Sequence, residues 1–200
     1  MKNNNNPSPK ADMELPSISQ LKEELNRENY RSRYSTVMKS TIYTLITVAA
    51  VAVLVATLWL PVLQIYGNSM TPTFVDGDIV VSVKDTTPQQ GDIIAFYYNN
   101  KILVKRVIAA PGSWVDMGKD GTVYVDNVQL QEPYITEKSY GDADIKFPYQ
   151  VPDGKLFVMG DHRATSVDSR HEAVGCISPE QVVGKIVFCI WPFENMGPIR

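Results

Sequence analysis

Cysteine is almost missing from these 200 residues, which hold only Cys176 and Cys189. Two thiols so placed build no disulfide framework, and no His, Cys, Asp or Glu set stands at metal-ligand spacing. The pair reads as two small buried hydrophobes. No strong excess of charge is present either: 19 Lys and Arg against 22 Asp and Glu leave a net charge of −3, which gives no reason to expect a nucleic-acid partner. No internal repeat is visible. Beyond Leu60 there is no convincing amphipathic helix, apart from a short turn at 178–182.

Charge is wholly absent from Thr41 to Leu60, "TIYTLITVAAVAVLVATLWL", and Pro61 ends the run. Twenty helical residues at about 1.5 Å each span the roughly 30 Å hydrocarbon core of a bilayer. A buried core helix would carry a polar stripe where this segment has only scattered threonines. A cleaved signal peptide would have a shorter apolar stretch and a shorter leader, and no small-x-small site follows here. The run reads as an uncleaved anchor in a lipid bilayer, with Trp59 as an interface residue. Residues 21–40 carry Lys22, Arg27, Arg31, Arg33 and Lys39, whereas residues 61–80 carry no Lys or Arg. The positive-inside rule therefore puts the N-terminus in the cytoplasm and residues 61–200 outside it.

Four regions follow from this. Residues 1–16 are polar, asparagine-rich and proline-broken, and are expected to be a disordered cytoplasmic tail. Residues 17–40 read as a juxtamembrane amphipathic helix opened by a Ser17-x-x-Gln20 capping box, with Ile18, Leu21 and Leu25 on one face. Residues 41–60 are the anchor. Residues 61–200 are runs rich in Val, Ile and aromatics at 78–83, 92–98, 102–110, 122–125, 155–160 and 184–191, cut by turn pairs such as Asn99-Asn100 and Asp126-Asn127. The expected fold class is mainly β, an antiparallel sheet or barrel-like extracytoplasmic domain on one N-terminal transmembrane helix.

Three segments of this domain could carry chemistry. "GNSMTPTF" (67–74) places Ser69 in a glycine- and proline-shaped loop, where a serine is ordinarily a turn residue and becomes a nucleophile only beside a base. Lys105, inside "ILVKRVI", stands apart from most of the other lysines, such as Lys84, Lys119 and Lys138, which lie beside acidic residues. One face of that strand brings a cation against apolar side chains, unless it is an edge strand with Lys105 and Arg106 both reaching water. A free lysine is neutral only about 0.04% of the time at pH 7, and desolvation to a pKa near 8 leaves about a tenth of the molecules with a usable base. "GDHRATSVDSR" (160–170) packs acids, arginines, a histidine and serines behind a strand, as a salt-bridged surface loop or as support for a site.

These pieces in this order resemble the bacterial type I signal peptidases, serine proteases with a Ser-Lys dyad. The resemblance is carried by "GNSMTPTF", "GDIIAF", "VKRVIAAPG" and "GDHRATSVDSR", from about Ile65 to Arg170, behind a single-span anchor. It implies that Ser69 is the nucleophile and Lys105 the general base. It further implies that Ser166 holds the lysine amine, that Asp168 and Arg170 form a structural ion pair, and that Asp161 and Arg163 open the same motif. The Ser69 amide would form part of the oxyanion hole. The implied substrates are secretory preproteins cut after Ala-x-Ala-type sites, bound as an added strand near the protein-export translocon of a bacterial plasma membrane. Ile65, Tyr66, Met70, Phe74, Leu103 and Val104 would line the pockets. No metal or organic cofactor is implied. Two positions depart from the pattern: Gly67 replaces a serine that completes the oxyanion hole in some members, and His162 replaces the usual asparagine.

Two rival readings remain. A Ser-His hydrolase using His162 or His171 leaves the apolar setting of Lys105 unexplained. A non-catalytic anchored binding or chaperone module has Gly67 and His162 in its favour. A penicillin-binding enzyme would need Ser-x-x-Lys outside the membrane, and Ser19-Gln-Leu-Lys22 lies on the wrong side of the anchor.

Overall fold

Ser17 and Gln20 open the first helix reciprocally. The Gln20 amide donates to Ser17 Oγ, and the Ser17 amide donates to Gln20 Oε1 at 2.9 Å. The helix they start, α1 (Ile18–Trp59), runs unbroken for 42 residues, so the two segments expected at 17–40 and 41–60 are one element. Thr36, Thr41, Thr44 and Thr47 each donate to the carbonyl four residues back at 2.9 Å. Their hydroxyls are satisfied within the helix, which removes the main cost of placing threonine in an apolar segment. Ile42, Leu45, Ile46, Val48, Val51 and Leu54 are all exposed, and α1 is long and apolar enough to cross a membrane.

This computed structural model describes residues 17–84 and 86–199, without the side chains of Leu58 and Trp59. The tail expected at 1–16 and the interface role expected of Trp59 lie outside the described residues. By contacts the chain divides into two units, Met1–Val53 and Leu54–Arg200.

The second unit is antiparallel β structure. In chain order the strands are β1 (Val62–Gln64), β2 (Ile79–Val83), β3 (Ile93–Tyr98), β4 (Lys101–Ala109), β5 (Trp114–Met117), β6 (Val123–Val125), β7 (Val128–Gln129), β8 (Tyr149–Gln150), β9 (Phe157–Met159), β10 (Val182–Trp191) and β11 (Gly197–Pro198). The larger sheet has the order β1-β2-β10-β3-β4-β9, with β11 added to β10, and the smaller has the order β7-β6-β5-β8. Two-residue turns close β3 onto β4 and β6 onto β7, with Asn99, Asp126 and Asn127 at positive φ as such hairpins require. A short 3-10 turn, Pro179–Gln181, leads into β10.

The run "IIAF" on β3 lacks the alternation of a half-exposed strand because both of its faces are buried. Ile93 and Ala95 join a core cluster with Ile65, Met70, Phe74, Val80, Ile186 and Cys189. Ile94 and Phe96 join another with Val107, Val158 and Ile177. A third cluster, around Ile108, Val115, Val123, Phe157 and Met159, holds Cys176. The two cysteines are free, buried and in separate clusters.

Candidate active site

Strand β4 is not an edge strand. It lies between β3 and β9, and its second half is buried, so Lys105 (3% exposed) and Arg106 (2%) both sit inside the domain. The reading in which both cations reach water does not hold. Adjacent residues on a strand point to opposite faces, so the two cations meet different surroundings.

Lys105 points to the Ser69 loop, and its Nζ lies 2.5 Å from Ser69 Oγ. The Arg106 guanidinium binds Asp161 with two bonds, Nε to Oδ1 at 2.9 Å and Nη2 to Oδ2 at 2.7 Å. Thr73, four residues after Ser69, donates to the same carboxylate at 2.5 Å. Asp168 and Arg170 form a second buried pair through Arg170 Nε and Nη2, each at 2.9 Å, and Asp168 also accepts the Gly160 amide at 2.9 Å. Arg163 and Glu132 form a third.

These pairs explain the state of Lys105. All three carboxylates are already held by an arginine, so the lysine is left without an ion-pair partner among the described residues. Burial therefore dominates and lowers its pKa to about 8, against a smaller upward pull from Asp168 and Asp161; Arg170 pushes it further down. At Asp168 burial acts upward, but the Arg170 hydrogen bonds and charge outweigh it and hold the carboxyl below its usual range. The Ser166 hydroxyl also favours the Asp168 carboxylate by proximity, without meeting the geometry of a hydrogen bond.

Ser166 lies beside the pair without bonding to it. Its Oγ is buried and makes no hydrogen bond, to Lys105 or to any other described group. It packs directly over Gly160, where a Cβ would collide with Ser166 Oγ and would lie 2.5 Å from the Ser69 carbonyl oxygen. Only glycine leaves room for that approach.

Neither imidazole hydrogen-bonds Ser69. His162 Nδ1 is 2.9 Å from Thr165 Oγ1, and only the His162 backbone amide reaches the Ser69 loop, donating to the Ser69 carbonyl at 3.1 Å. The Ser69 amide itself has no partner among the described residues and is free to donate. Gly67 has φ +82°, so a serine there would be strained even though no atom lies within 4 Å of its Cβ position.

An open groove of about 780 Å³ runs past the pair, with one wall from Leu63 to Gly67, Ser69 and Met70, and the other from Asn100 to Lys105. Ile65, Tyr66, Met70, Leu103 and Val104 line it. Phe74 does not, because its ring is 1% exposed and belongs to the core beneath. Both walls have unpaired backbone. β1 has one neighbour, β2, and β4 pairs with β9 only from Arg106 onward, leaving residues 101–105 bonded on the β3 side alone.

Glu132 and Tyr134 are absent from the sequence expectations, and Thr73 and Gly160 enter them only as members of the quoted motifs, with no role of their own. Their only visible signal is the need of buried arginines for partners.

The signal peptidase, peptidase S26 family model matches residues 38–191. Signal peptidase IB of Staphylococcus aureus (strain COL) is 38% identical over 152 residues, covering 66% of this chain and 78% of that protein. Signal peptidase I of Bacillus licheniformis is 36% identical over 143 residues, covering 65% and 76%. A crystal structure of a signal peptidase I from Enterococcus faecalis V583 is 32% identical, covers 50% of this chain and 97% of that one, and has a TM-score of 0.43. By the extent of the family match, the chain belongs to the signal peptidase (peptidase S26) family, serine peptidases that remove signal peptides from preproteins.

Proposed function

We propose that this chain is a single-pass membrane endopeptidase that cuts secretory preproteins after an Ala-x-Ala-type site, with Ser69 as nucleophile and Lys105 as general base. The observation that carries this reading is the 2.5 Å approach of Lys105 Nζ to Ser69 Oγ, made by a buried lysine whose pKa is lowered to about 8. At pH 7 about a tenth of such lysines are neutral, against about 0.04% of free ones.

In the neutral enzyme the Ser69 hydroxyl donates to the lysine lone pair. As Oγ attacks the scissile carbonyl carbon, its proton passes to Nζ, and the resulting oxyanion is met by the Ser69 amide. The Lys105 ammonium then returns the proton to the leaving amine as the C–N bond breaks, leaving an acyl ester on Ser69. The mature chain departs with that amine. A water then attacks the ester with Lys105 again taking the proton. Lys105 returns it to Ser69 Oγ as the ester C–O bond breaks, and the signal peptide leaves with its new carboxyl group. Ser166, buried and unpartnered, is assigned the second hydrogen bond to the lysine amine during turnover.

The two half-paired walls of the groove support binding of the signal peptide as an added strand, its main chain bonded to β1 on one side and to residues 101–105 on the other. Ile65, Met70, Leu103 and Val104 would then shape shallow pockets that admit small side chains. The charge asymmetry around α1 supports a cytoplasmic tail at 1–16, a juxtamembrane helix at 17–40, an anchor at 41–60 and a peptidase domain outside the plasma membrane at 61–200, close to where a translocon releases its cargo.

The test is cleavage of an Ala-x-Ala preprotein in detergent by wild type, Ser69→Ala, Lys105→Ala and His162→Ala. Inactive Ser69 and Lys105 variants beside an active His162 variant are expected. A dead His162 variant with an active Lys105 variant would transfer the base to histidine.

A further inference from the structure

The connection between β7 and β8 is irregular, yet between Glu132 and Ile145 it contacts every buried arginine of the site. Arg163 Nη1 donates to Glu132 Oε2 at 3.2 Å, and Nη2 to Glu132 Oε1. The Tyr134 hydroxyl donates to Glu132 Oε1 at 3.2 Å, and its ring lies 3.8 Å from the Arg106 guanidinium carbon. The Tyr140 carbonyl accepts from Arg170 Nη1 at 2.9 Å, and the Asp144 amide donates to the Arg170 carbonyl at 3.1 Å.

These contacts close a circuit around the nucleophile. Asp161 is held by Arg106, and Arg163 by Glu132, so both ends of the tripeptide Asp161-His162-Arg163 are fixed. The amide in its middle carries the hydrogen bond to the Ser69 carbonyl. Arg163 Nε also donates to the carbonyl of Gly160, the residue packed between Ser69 and Ser166. Tyr134 and Glu132 are bonded to each other, so one short segment joins the arginine next to Lys105 to the arginine that sets the Ser69 loop.

We propose that Glu132 and Tyr134 are positioning residues for the Ser69–Lys105 pair: together they clamp Arg163 and Arg106 and so fix the separation of nucleophile and base. The proposal rests on the Ser-Lys reading above. It requires no contact between either residue and the substrate, since neither lines the groove. The charged groups acting on Lys105 are Asp161, Asp168 and Arg170, with Arg106 beside it on β4 and Arg163 two residues from Asp161. Loss of the Glu132 charge leaves Arg163 uncompensated and disfavours the lysine ammonium. The acid limb of the rate profile, which follows formation of neutral lysine, then moves to lower pH.

The experiment measures kcat and KM from pH 6 to 10 for the full chain in detergent, on a peptide spanning an Ala-x-Ala site. The variants are Glu132→Gln, Tyr134→Phe, Tyr134→Ala and Lys105→Ala, with thermal melting recorded for each. A displaced catalytic pair costs on the order of 10²-fold. Glu132→Gln and Tyr134→Ala are therefore expected to lower kcat by at least about tenfold with KM within about twofold, while Tyr134→Phe keeps the ring over Arg106 and most of the rate. The Glu132→Gln limb should move to lower pH. A Glu132→Gln enzyme with wild-type kcat and limb overturns the clamp, and so does a loss of rate that follows only the loss of folded protein with the limb unmoved. Should Glu132→Gln not fold, the tyrosine pair decides: equal kcat in Tyr134→Phe and Tyr134→Ala overturns the proposal. Cleavage surviving in Lys105→Ala overturns the Ser-Lys reading itself, whereas an inactive Lys105→Ala beside an unaffected Glu132→Gln overturns the clamp alone.

Discussion

Lys105 is held where its charge is unwelcome, and that has a thermodynamic signature separate from activity. Its folded pKa of about 8 lies below the ordinary 10.5. Between those two values the unfolded chain binds more protons than the folded one, so stability rises with pH across that window; below pH 8 the full penalty of burying the ammonium remains. A shift of this size corresponds to about 3 kcal/mol. Lys105→Met is accordingly expected to abolish cleavage while raising stability at pH 7 by up to about 3 kcal/mol, an advantage that shrinks toward pH 10. Chemical denaturation at the two pH values checks it, and an equal difference at both would show that the lysine is not desolvated. At this scale the sequence exposes a residue when its type conflicts with its neighbours. Lys105 among Ile, Leu and Val is such a conflict, whereas Ser69 beside Gly and Pro is an ordinary turn residue that stands out only once Lys105 is found. Glu132 and Arg163 show no local conflict, and their partnership spans 31 residues of sequence that no periodicity connects. Phe74 misleads in the opposite sense: its neighbours in the chain belong to the Ser69 loop, yet its ring belongs to the core.

Among the elements, the β3–β4 hairpin sets the position of Lys105. Its two-residue turn fixes Ile94 opposite Lys105, and a one-residue slip would send the lysine to the other face. Asn99 sits there at φ 51°, a conformation that costs an ordinary L-residue about 1–2 kcal/mol and a β-branched one more. Asn99→Val is expected to lower stability by about 2 kcal/mol, whereas Asn99→Gly stays near wild type; thermal melts of the two variants give the comparison. This hairpin is legible in the sequence because two β-branched and aromatic runs flank a turn pair. β2 and β10 are legible for the same reason. β1, β7, β8 and β11 span two or three residues each, too few to show an alternation, and they exist through the partners they pair with.

For the molecule as a whole, α1 leaves its apolar side chains exposed and is long enough to cross a membrane, whereas the β unit buries its own in three core clusters. Arginine at the centre of a spanning helix costs about 2.5–3.5 kcal/mol, so Val48→Arg with Val51→Arg is expected to release the protein from membranes in a flotation assay while wild type floats with the lipid. If the double variant floats equally well, α1 is not the anchor. The strand order carries one more consequence. The Ser69 loop lies between β1 and β2, Lys105 lies on β4 beside β3, and within the larger sheet these two hairpins touch only through β10, which enters between β2 and β3. Residues 182–191 are thus the keystone of the arch, and they leave the ribosome after both of the hairpins they join. Until residues 182–191 emerge, a nascent chain holds its serine loop and its lysine strand together only by side-chain and loop contacts such as those through Asp161 and His162, and the sheet between them is closed last.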